Sequence, residues 1–299
     1  AQGALFSLDV TKYANEAAAT QAMNEGKSYG TLIAGASGSA NQLTVVSSIS
    51  DLSALDIAGN FETAAKKTGQ KIKLSKPYAP TPLAPNDPFA LVCSLLLVPL
   101  LVGGYMATTL LTTALGPDSW ARGGSASGRW HGMWLLGFAL AAGLVIDLIV
   151  TSWLKGLPSD SFWIAWPIMA LIILTVALIA AVLRRVVGPV GIFLTVIVVI
   201  QFGNPSSGGA NGVPYLPSFW SDLGPFLPPR NAYLLLRNTV YFDGHGIGQP
   251  LTILLAYVVV AGALLTVLHL VIDRARSVPG ITDAEADSAA VLAPVGPPP

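Results

Sequence analysis

The chain has 299 residues, of which 53% are hydrophobic and only 11% are charged, and its mean hydropathy is +0.62. Because soluble domains have roughly 25% charged residues, this composition predicts an integral membrane protein whose main partner is the lipid bilayer. The formal net charge is zero, so no nucleic-acid partner is expected. A single cysteine, Cys93, lies inside an apolar run, which excludes a disulfide framework and a cysteine metal cluster within the chain.

Residues 1–76 differ from the rest of the chain, because they contain all but one of the lysines and no long apolar run. Their pattern predicts a separate α/β domain of order β-α-β-β-α-β. The predicted strands are residues 5–10, 31–34, 42–47 and 71–74, and the predicted helices are residues 13–27 and 52–67. Residues 77–88 contain five prolines and are predicted to form a stiff, extended linker.

Residues 89–276 are predicted to form the transmembrane domain, since they contain five runs that reach or approach the roughly 20 apolar residues needed to cross a bilayer. The runs are residues 89–111, 132–154, 162–183, 187–202 and 250–272. The fourth is the shortest and has Gly188, Pro189 and Gly191 at its start. The expected fold class is an α-helical polytopic membrane protein with five transmembrane helices.

The arginines predict the orientation of these spans, because Lys and Arg in short loops stay on the cytoplasmic side. If all five runs cross, six arginines lie on one side, namely Arg122, Arg129, Arg184, Arg185, Arg274 and Arg276. Arg230, Arg237 and Lys155 lie on the other side. This distribution predicts a bacterial plasma-membrane protein with residues 1–76 extracytoplasmic and the C-terminus cytoplasmic.

The two ends of the sequence follow from this orientation. An exported N-terminal domain requires an upstream signal, so a cleaved signal peptide or a sixth span is expected before Ala1. Residues 277–299 are acidic and end in prolines, and they are predicted to form a disordered cytoplasmic tail.

Catalytic motifs are not found in the sequence. It has no G-x-x-x-x-G-K-[ST] phosphate loop, and the glycines between residues 30 and 38 are more typical of a flexible turn. His131, His245 and His269 have no second histidine at helical spacing, which does not favour a metal site. We expect no cofactor and no enzymatic activity in this chain.

Asp147 lies inside the second predicted span, about two turns from its outer end. A carboxylate at this depth costs a few kcal/mol unless it is protonated, paired or facing water. It could belong to a substrate path or a proton site. The alternative is an interfacial group that snorkels or pairs helices.

Residues 112–131, between the first two spans, contain four residues suited to a contact with a cytoplasmic protein. They are Trp120, Arg122, Arg129 and Trp130. Aromatic anchors flanked by charge are typical of protein interfaces. An interfacial turn, with tryptophans at the membrane surface, explains the same composition.

Residues 216–244 form a segment that is too apolar for an ordinary loop and too rich in proline to span a membrane. Trp220 and its apolar neighbours recur near helical spacing, and Pro228 and Pro229 then interrupt the chain before a second apolar run that ends at Arg237. The pattern predicts two short external re-entrant helices above a membrane cavity. A rigid external loop that covers helix ends is the alternative.

The same segment resembles a known family. Its pattern is L-P at Leu216–Pro217 followed by Trp220, L-G-x-x-L-P from Leu223, N-A-x-x-x-L-R from Asn231, and then Tyr241 and Phe242. With N-D-P-F at residues 86–89, this is similar to type-2 ABC-transporter permeases, particularly the phage-infection-protein-like branch of actinobacteria.

The resemblance implies a six-span permease that works as a homodimer. It places residues 112–131 where the cytoplasmic coupling segment contacts a separate ATPase subunit, and it makes Pro217, Trp220, Pro228, Arg237 and Tyr241 part of the external re-entrant helices. One hypothesis is therefore an exporter permease for a lipid-like or amphipathic substrate. The other is a cell-envelope scaffold or receptor, with a phage or secretion partner, anchored by the membrane domain.

Overall fold

A computed structural model of the chain describes residues 11–24, 28, 30–33, 41–45, 59, 63, 66–67, 72–74, 81–87, 90–115, 125–209, 212–213 and 216–276. Within these residues the protein is predominantly helical and has four helices that are long and apolar enough to cross a membrane. This agrees with the predicted α-helical membrane protein.

The N-terminal region contains the described helix α1, four further described residues in helical conformation (59, 63, 66 and 67) and a three-stranded sheet. Helix α1 spans Glu16–Asn24, and Asn15 precedes it as an N-cap whose side-chain oxygen accepts the Ala18 N–H at 2.8 Å. The strands are β1 (Gly30–Ile33), β2 (Asn41–Val45) and β3 (Ile72–Leu74). The central strand β2 pairs antiparallel with β1 and parallel with β3.

These elements overlap the predicted ones. The strand predicted at residues 5–10 and most of the helix predicted at 52–67 lie outside the described residues. The separate extracytoplasmic domain with its boundary at residue 76 therefore stays a prediction.

The four long helices lie close to the predicted runs. Helix α2 spans Val92–Leu115, and helix α3 spans Ser125–Asp147 and continues as a π-helix over Leu148–Trp153. Helix α4 spans Phe162–Val187, and helix α8, the last among the described residues, spans Gly248–Arg276. Their apolar windows account for four of the five predicted spans.

The predicted fourth span corresponds to a shorter apolar helix, α5, over Val190–Ser206. It contains a π-helical stretch over Val196–Phe202. At 17 residues it is about 25 Å long by helix rise, just under the thickness of a typical hydrocarbon core. The count of five spans therefore stays a prediction.

Helix α4 lies at the centre of the bundle, with 56% of its apolar window buried, whereas α8 lies at the edge with 11%. Glycines permit the close approach of its neighbours. A Cβ built on Gly104 of α2 would lie 2.4 Å from the Val176 Cβ, and one on Gly143 of α3 would lie 2.9 Å from the Ala170 nitrogen. Small residues at such crossings let membrane helices pack by van der Waals contact.

Between α5 and α8 the chain forms two short helices. Helix α6 spans Ser218–Leu223 and is followed by one turn of 3₁₀-helix over Gly224–Phe226. Leu227 is extended, with ψ of 141°, and helix α7 begins directly after it and spans Pro228–Tyr241. The break agrees with the prediction from Pro228 and Pro229, because proline is favoured in the first turn of a helix.

Residues 81–87 pack against one end of the bundle. The Thr81 N–H donates to the Tyr241 carbonyl at 3.3 Å, and the Asn86 side-chain amide donates to the Leu154 carbonyl at 2.8 Å. This end, where residue 87 meets the α3–α4 connection and the end of α7, is called the Asp87 end below. The part of the predicted linker that the structure describes is thus attached to the membrane domain.

Candidate functional site

Helix α7 is the central element of the Asp87 end. Ten of its 14 residues are buried, although the 216–244 segment to which it belongs begins and ends at the same end of the bundle. Six of these buried residues, between Ala232 and Tyr241, belong to the hydrophobic core cluster that also contains residues of α2 and α4. The side chain of Phe242, just after the helix, is fully buried. Helix α7 therefore fills the space between the long helices instead of lying over them.

Asp87 joins α7 to α2. Its Oδ1 accepts the Leu91 N–H at 2.7 Å and its Oδ2 accepts the Val92 N–H at 3.0 Å, so the carboxylate caps the first turn of α2. The Tyr241 hydroxyl donates to Asp87 Oδ2 at 3.0 Å and lies 3.4 Å from the Gly156 carbonyl oxygen. Asp87 is only 4% exposed, and three donors satisfy its buried charge.

The two tyrosines of α7 are held neutral by this environment. Burial raises the pKa of the Tyr241 phenol, and the negative charge of Asp87 raises it further. Burial also raises the pKa of Tyr233, while the nearby Arg237 guanidinium acts in the opposite direction. Tyr241 can thus remain a hydrogen-bond donor well into the alkaline range.

Arg237 projects from α7 onto aromatic rings. Its Cζ lies 4.7 Å from the centre of the Phe242 ring and 5.9 Å from that of Tyr233. These distances are within the range of cation–π interaction. Its Nε is buried and has no hydrogen-bond partner among the described residues. Nothing in the local sequence pattern indicated these aromatic neighbours of Arg237.

Helices α6 and α7 are bonded to each other across the extended Leu227. The Asn231 side-chain amide, in the first turn of α7, donates to the Pro225 carbonyl at 3.0 Å and to the Leu227 carbonyl at 2.9 Å. One guanidinium nitrogen of Arg230 donates to the Ser221 carbonyl at 2.8 Å. The two helices are therefore held as one rigid unit.

This unit contacts the neighbouring helices through aromatic side chains. The rings of Trp220 and Phe202 lie 5.7 Å apart, joining α6 to α5. The Tyr257 hydroxyl of α8 donates to the Phe226 carbonyl at 2.8 Å. Pro217, which was predicted to belong to the external re-entrant helices, is the exposed residue immediately before α6.

Asp147 is fully buried beneath the Asp87 end. Its Oδ1 accepts the Thr151 hydroxyl at 2.6 Å, and its Oδ2 has no partner among the described residues. Because 0% of Asp147 is exposed, it does not snorkel to the surface, and the π-helix begins at the next residue.

The predicted coupling residues fall mostly outside the described part of the chain. Trp120 and Arg122 lie outside the described residues, and the side chain of Arg129 is not described. Trp130 lies within α3 and is 60% exposed. The loop predicted at 112–131 is shorter than expected, because Thr112 still belongs to α2 and α3 already begins at Ser125.

No group of three or more His, Cys, Asp or Glu side chains that could hold a metal ion occurs among the described residues. The prominent functional features are instead the polar contacts of the Asp87 end and the buried Asp147. Asp87 was noted in the sequence only within the N-D-P-F motif, and no local signal connects it with Tyr241.

No family model matches this sequence, and no significant relative is found among curated proteins.

Proposed function

We propose that the chain is the membrane permease subunit of an ABC-type exporter-like complex that moves a lipid-like or amphipathic substrate. ATP hydrolysis is supplied by a separate subunit. The observation that supports this best is the unit formed by α6 and α7, which enters the bundle at the Asp87 end without crossing it. A short element placed between spanning helices can open or close a path when the spans move.

In this proposal the membrane domain has five spans and works as a homodimer. Helix α5 is the fourth span. Its first turn lies against the end of α4, since a Cβ on Gly191 would lie 2.3 Å from the Leu183 carbonyl carbon. Its other end lies against α7, since a Cβ on Gly203 would lie 2.3 Å from the Pro229 Cγ. The N-terminal region is extracytoplasmic and the C-terminus cytoplasmic.

The contact between Gly203 of α5 and Pro229 of α7 offers a direct test of whether the unit formed by α6 and α7 moves during transport. The built Cβ of Gly203 lies 3.3 Å from the Pro229 Cβ, close to the separation found in disulfides. We therefore design Gly203→Cys with Pro229→Cys in a Cys93→Ala background. In vesicles that contain the complex, oxidation should stop outward movement of a fluorescent phospholipid, and reduction should restore it.

The ATPase partner is tested separately. We expect a nucleotide-binding subunit to copurify with the full chain from its native membrane, and Arg122→Glu combined with Trp130→Ala should abolish the association. Trp163→Ala is the matched control, because Trp163 is also an exposed tryptophan, at 74%, but lies at the Asp87 end. Lipid movement that persists without any ATPase would refute this part of the proposal.

One observation favours the scaffold or receptor as a second candidate. Residues 81–87 are hydrogen bonded to the Asp87 end, and Met23 of α1 is buried in the same hydrophobic cluster as α2 and α7. A rigid connection of this kind suits a protein that presents its N-terminal region to an envelope partner. If this candidate is correct, the oxidised disulfide variant should bind that partner as well as the reduced one does.

A further inference from the structure

A groove of about 620 Å³ lies at the Asp87 end, where the π-helical end of α3 connects to α4. Its lining comprises Pro85, Leu148, Thr151, Ser152, Lys155, Leu157, Ser159, Phe162 and Trp163. These residues come from the connection of two adjacent spans and from the segment before α2. The 216–244 segment contributes no residue to this lining.

The upper part of the groove is polar. Of the lining residues, Lys155 alone is charged, and the exposed hydroxyls of Ser152 and Ser159 accompany it. The groove also includes Phe162, the first residue of α4, and the N-terminal end of a helix favours negative charge. The charged and polar groups of the lining therefore suit an anionic oxygen-rich ligand.

The backbone at Lys155 is fixed although its side chain is exposed. Its φ is +51°, in the left-handed region that lysine seldom adopts. Asn86 holds this conformation, because its N–H donates to the Lys155 carbonyl at 3.4 Å and its side-chain amide donates to the Leu154 carbonyl at 2.8 Å. The ammonium group is thus attached to a fixed point at the edge of the groove.

The lower wall of the groove is apolar and continues onto the lipid-facing surface. Leu148 is 52% exposed and Trp163 is 74% exposed. One turn further into the bilayer along α3, Leu144 is also exposed on the same face. The groove therefore passes from a cationic, hydroxyl-lined upper part to an apolar strip within a short distance.

We propose that this groove binds one anionic phospholipid from the surrounding bilayer. The phosphodiester lies at Lys155 and the two serine hydroxyls, and an acyl chain lies along Leu148 and Leu144. The charge-assisted bond from the Lys155 ammonium to a phosphate oxygen makes the site selective for anionic lipids. The apolar strip contacts the acyl chain. This inference does not rest on the proposed transport function, because the binding of the lipid is measured at equilibrium and without transport.

The test uses the full chain in detergent micelles and phosphatidylglycerol as the probe, with retained lipid counted by native mass spectrometry. Lys155→Asn removes the charge with a residue that tolerates positive φ. We expect it to weaken phosphatidylglycerol retention about tenfold, which corresponds to the loss of one charge-assisted contact. Lys155→Arg should retain binding, and Lys67→Asn, at an exposed lysine of the N-terminal region, should leave it unchanged.

Two results would overturn the proposal. One is unchanged retention of phosphatidylglycerol by Lys155→Asn. The other is full competition by inorganic phosphate, because a free phosphate site would not need the apolar strip.

A second measurement does not depend on the Lys155 variants. Brominated phosphatidylglycerol should quench tryptophan fluorescence more than brominated phosphatidylcholine does, and Trp163→Phe should reduce this excess, leaving the part that comes from the neighbouring exposed Trp153. Trp130→Phe, at the opposite end of α3, should preserve it. An excess that is undiminished in Trp163→Phe would contradict the proposed position of the lipid.

Discussion

Tyr241 donates its hydroxyl to Asp87 over 3.0 Å, and the two residues are 154 positions apart in the chain. The same carboxylate accepts two backbone N–H groups at the start of α2. One buried charge therefore joins the first span to α7, so that a movement of either helix alters the environment of the other. This contact connects the 216–244 segment to the start of the first long helix.

The first prediction concerns the strength of this connection. Tyr241→Phe removes one hydrogen bond to a buried carboxylate and should lower the free energy of unfolding by about 1.5–3 kcal/mol. Asp87→Ala also removes the cap of α2 and should cost more. In a double-mutant cycle, measured by unfolding in micelles, the two changes should be strongly non-additive. Additive effects would show that the hydroxyl and the carboxylate do not interact.

The second prediction is a loss of stability at high pH. Burial raises the pKa of Tyr241 in the folded protein above its ordinary value of 10.0. At a pH between the ordinary pKa and the raised one, Tyr241 is deprotonated in the unfolded chain but protonated in the folded one, so the unfolded chain binds fewer protons. Stability is then fully present below about pH 10 and falls as the pH rises further. The slope should be smaller in Tyr241→Phe, by up to about 1.4 kcal/mol per pH unit. Tyr13→Phe, at an exposed tyrosine, is the control and should leave the slope unchanged.

The sequence predicted the features that depend on local composition. Hydropathy located the four long helices within a few residues, and Pro228 with Pro229 located the break between α6 and α7. The loop predicted at 112–131 was too long, because helix α2 continues through the polar Thr112 and Thr113, and helix α3 already begins at Ser125, in a turn that contains Gly128. Helix α7 also continues past Arg237 to Tyr241, since its polar residues remain within the packed end of the bundle.

Contacts between distant parts of the chain could not be predicted from one sequence. The pairing of Asp87 with Tyr241 and the position of Arg237 over Phe242 depend on how the helices assemble. Asp147 was identified as unusual because a carboxylate inside an apolar run is visible locally. Its burial and its bond to Thr151 were not, because they require the π-helical turn and the packing of α4.

The third prediction concerns Asp147. Its Oδ2 is buried without a partner among the described residues, so the carboxylate is costly to bury and the neutral Asp147→Asn should be as stable as the wild type or more stable. If the residue serves transport, the same change should impair lipid movement. Asp160→Asn is the matched control, since Asp160 is exposed near the same end; it should leave lipid movement unchanged and lower stability by no more than the roughly 0.3–1 kcal/mol that an exposed carboxylate at a helix N-terminus contributes. A clearly destabilised Asp147→Asn would indicate a structural role for the carboxylate.

The fourth prediction tests the contact of Arg237 with Phe242. Arg237→Met and Phe242→Leu should show a coupling of about 0.5–2 kcal/mol in a double-mutant cycle for unfolding. Arg230 provides the control, because its guanidinium donates to the Ser221 carbonyl and should not couple with Phe242. Equal coupling for the two arginines would show that general charge effects, and not the ring contact, explain the result.

The fifth prediction tests the close packing of α2 on the central helix α4. A Cβ on Gly104 would lie 2.4 Å from the Val176 Cβ and 2.8 Å from the Ile173 carbonyl oxygen, whereas one on Gly103 has its nearest neighbour at 3.8 Å. Gly104→Ala must therefore separate the helices and should cost about 1–3 kcal/mol of unfolding free energy. Gly103→Ala should be neutral or stabilising by up to about 1 kcal/mol, because alanine has the higher helix propensity. Since the two glycines are adjacent in one helix, equal effects in a denaturation measurement would mean that α2 does not approach α4 through Gly104.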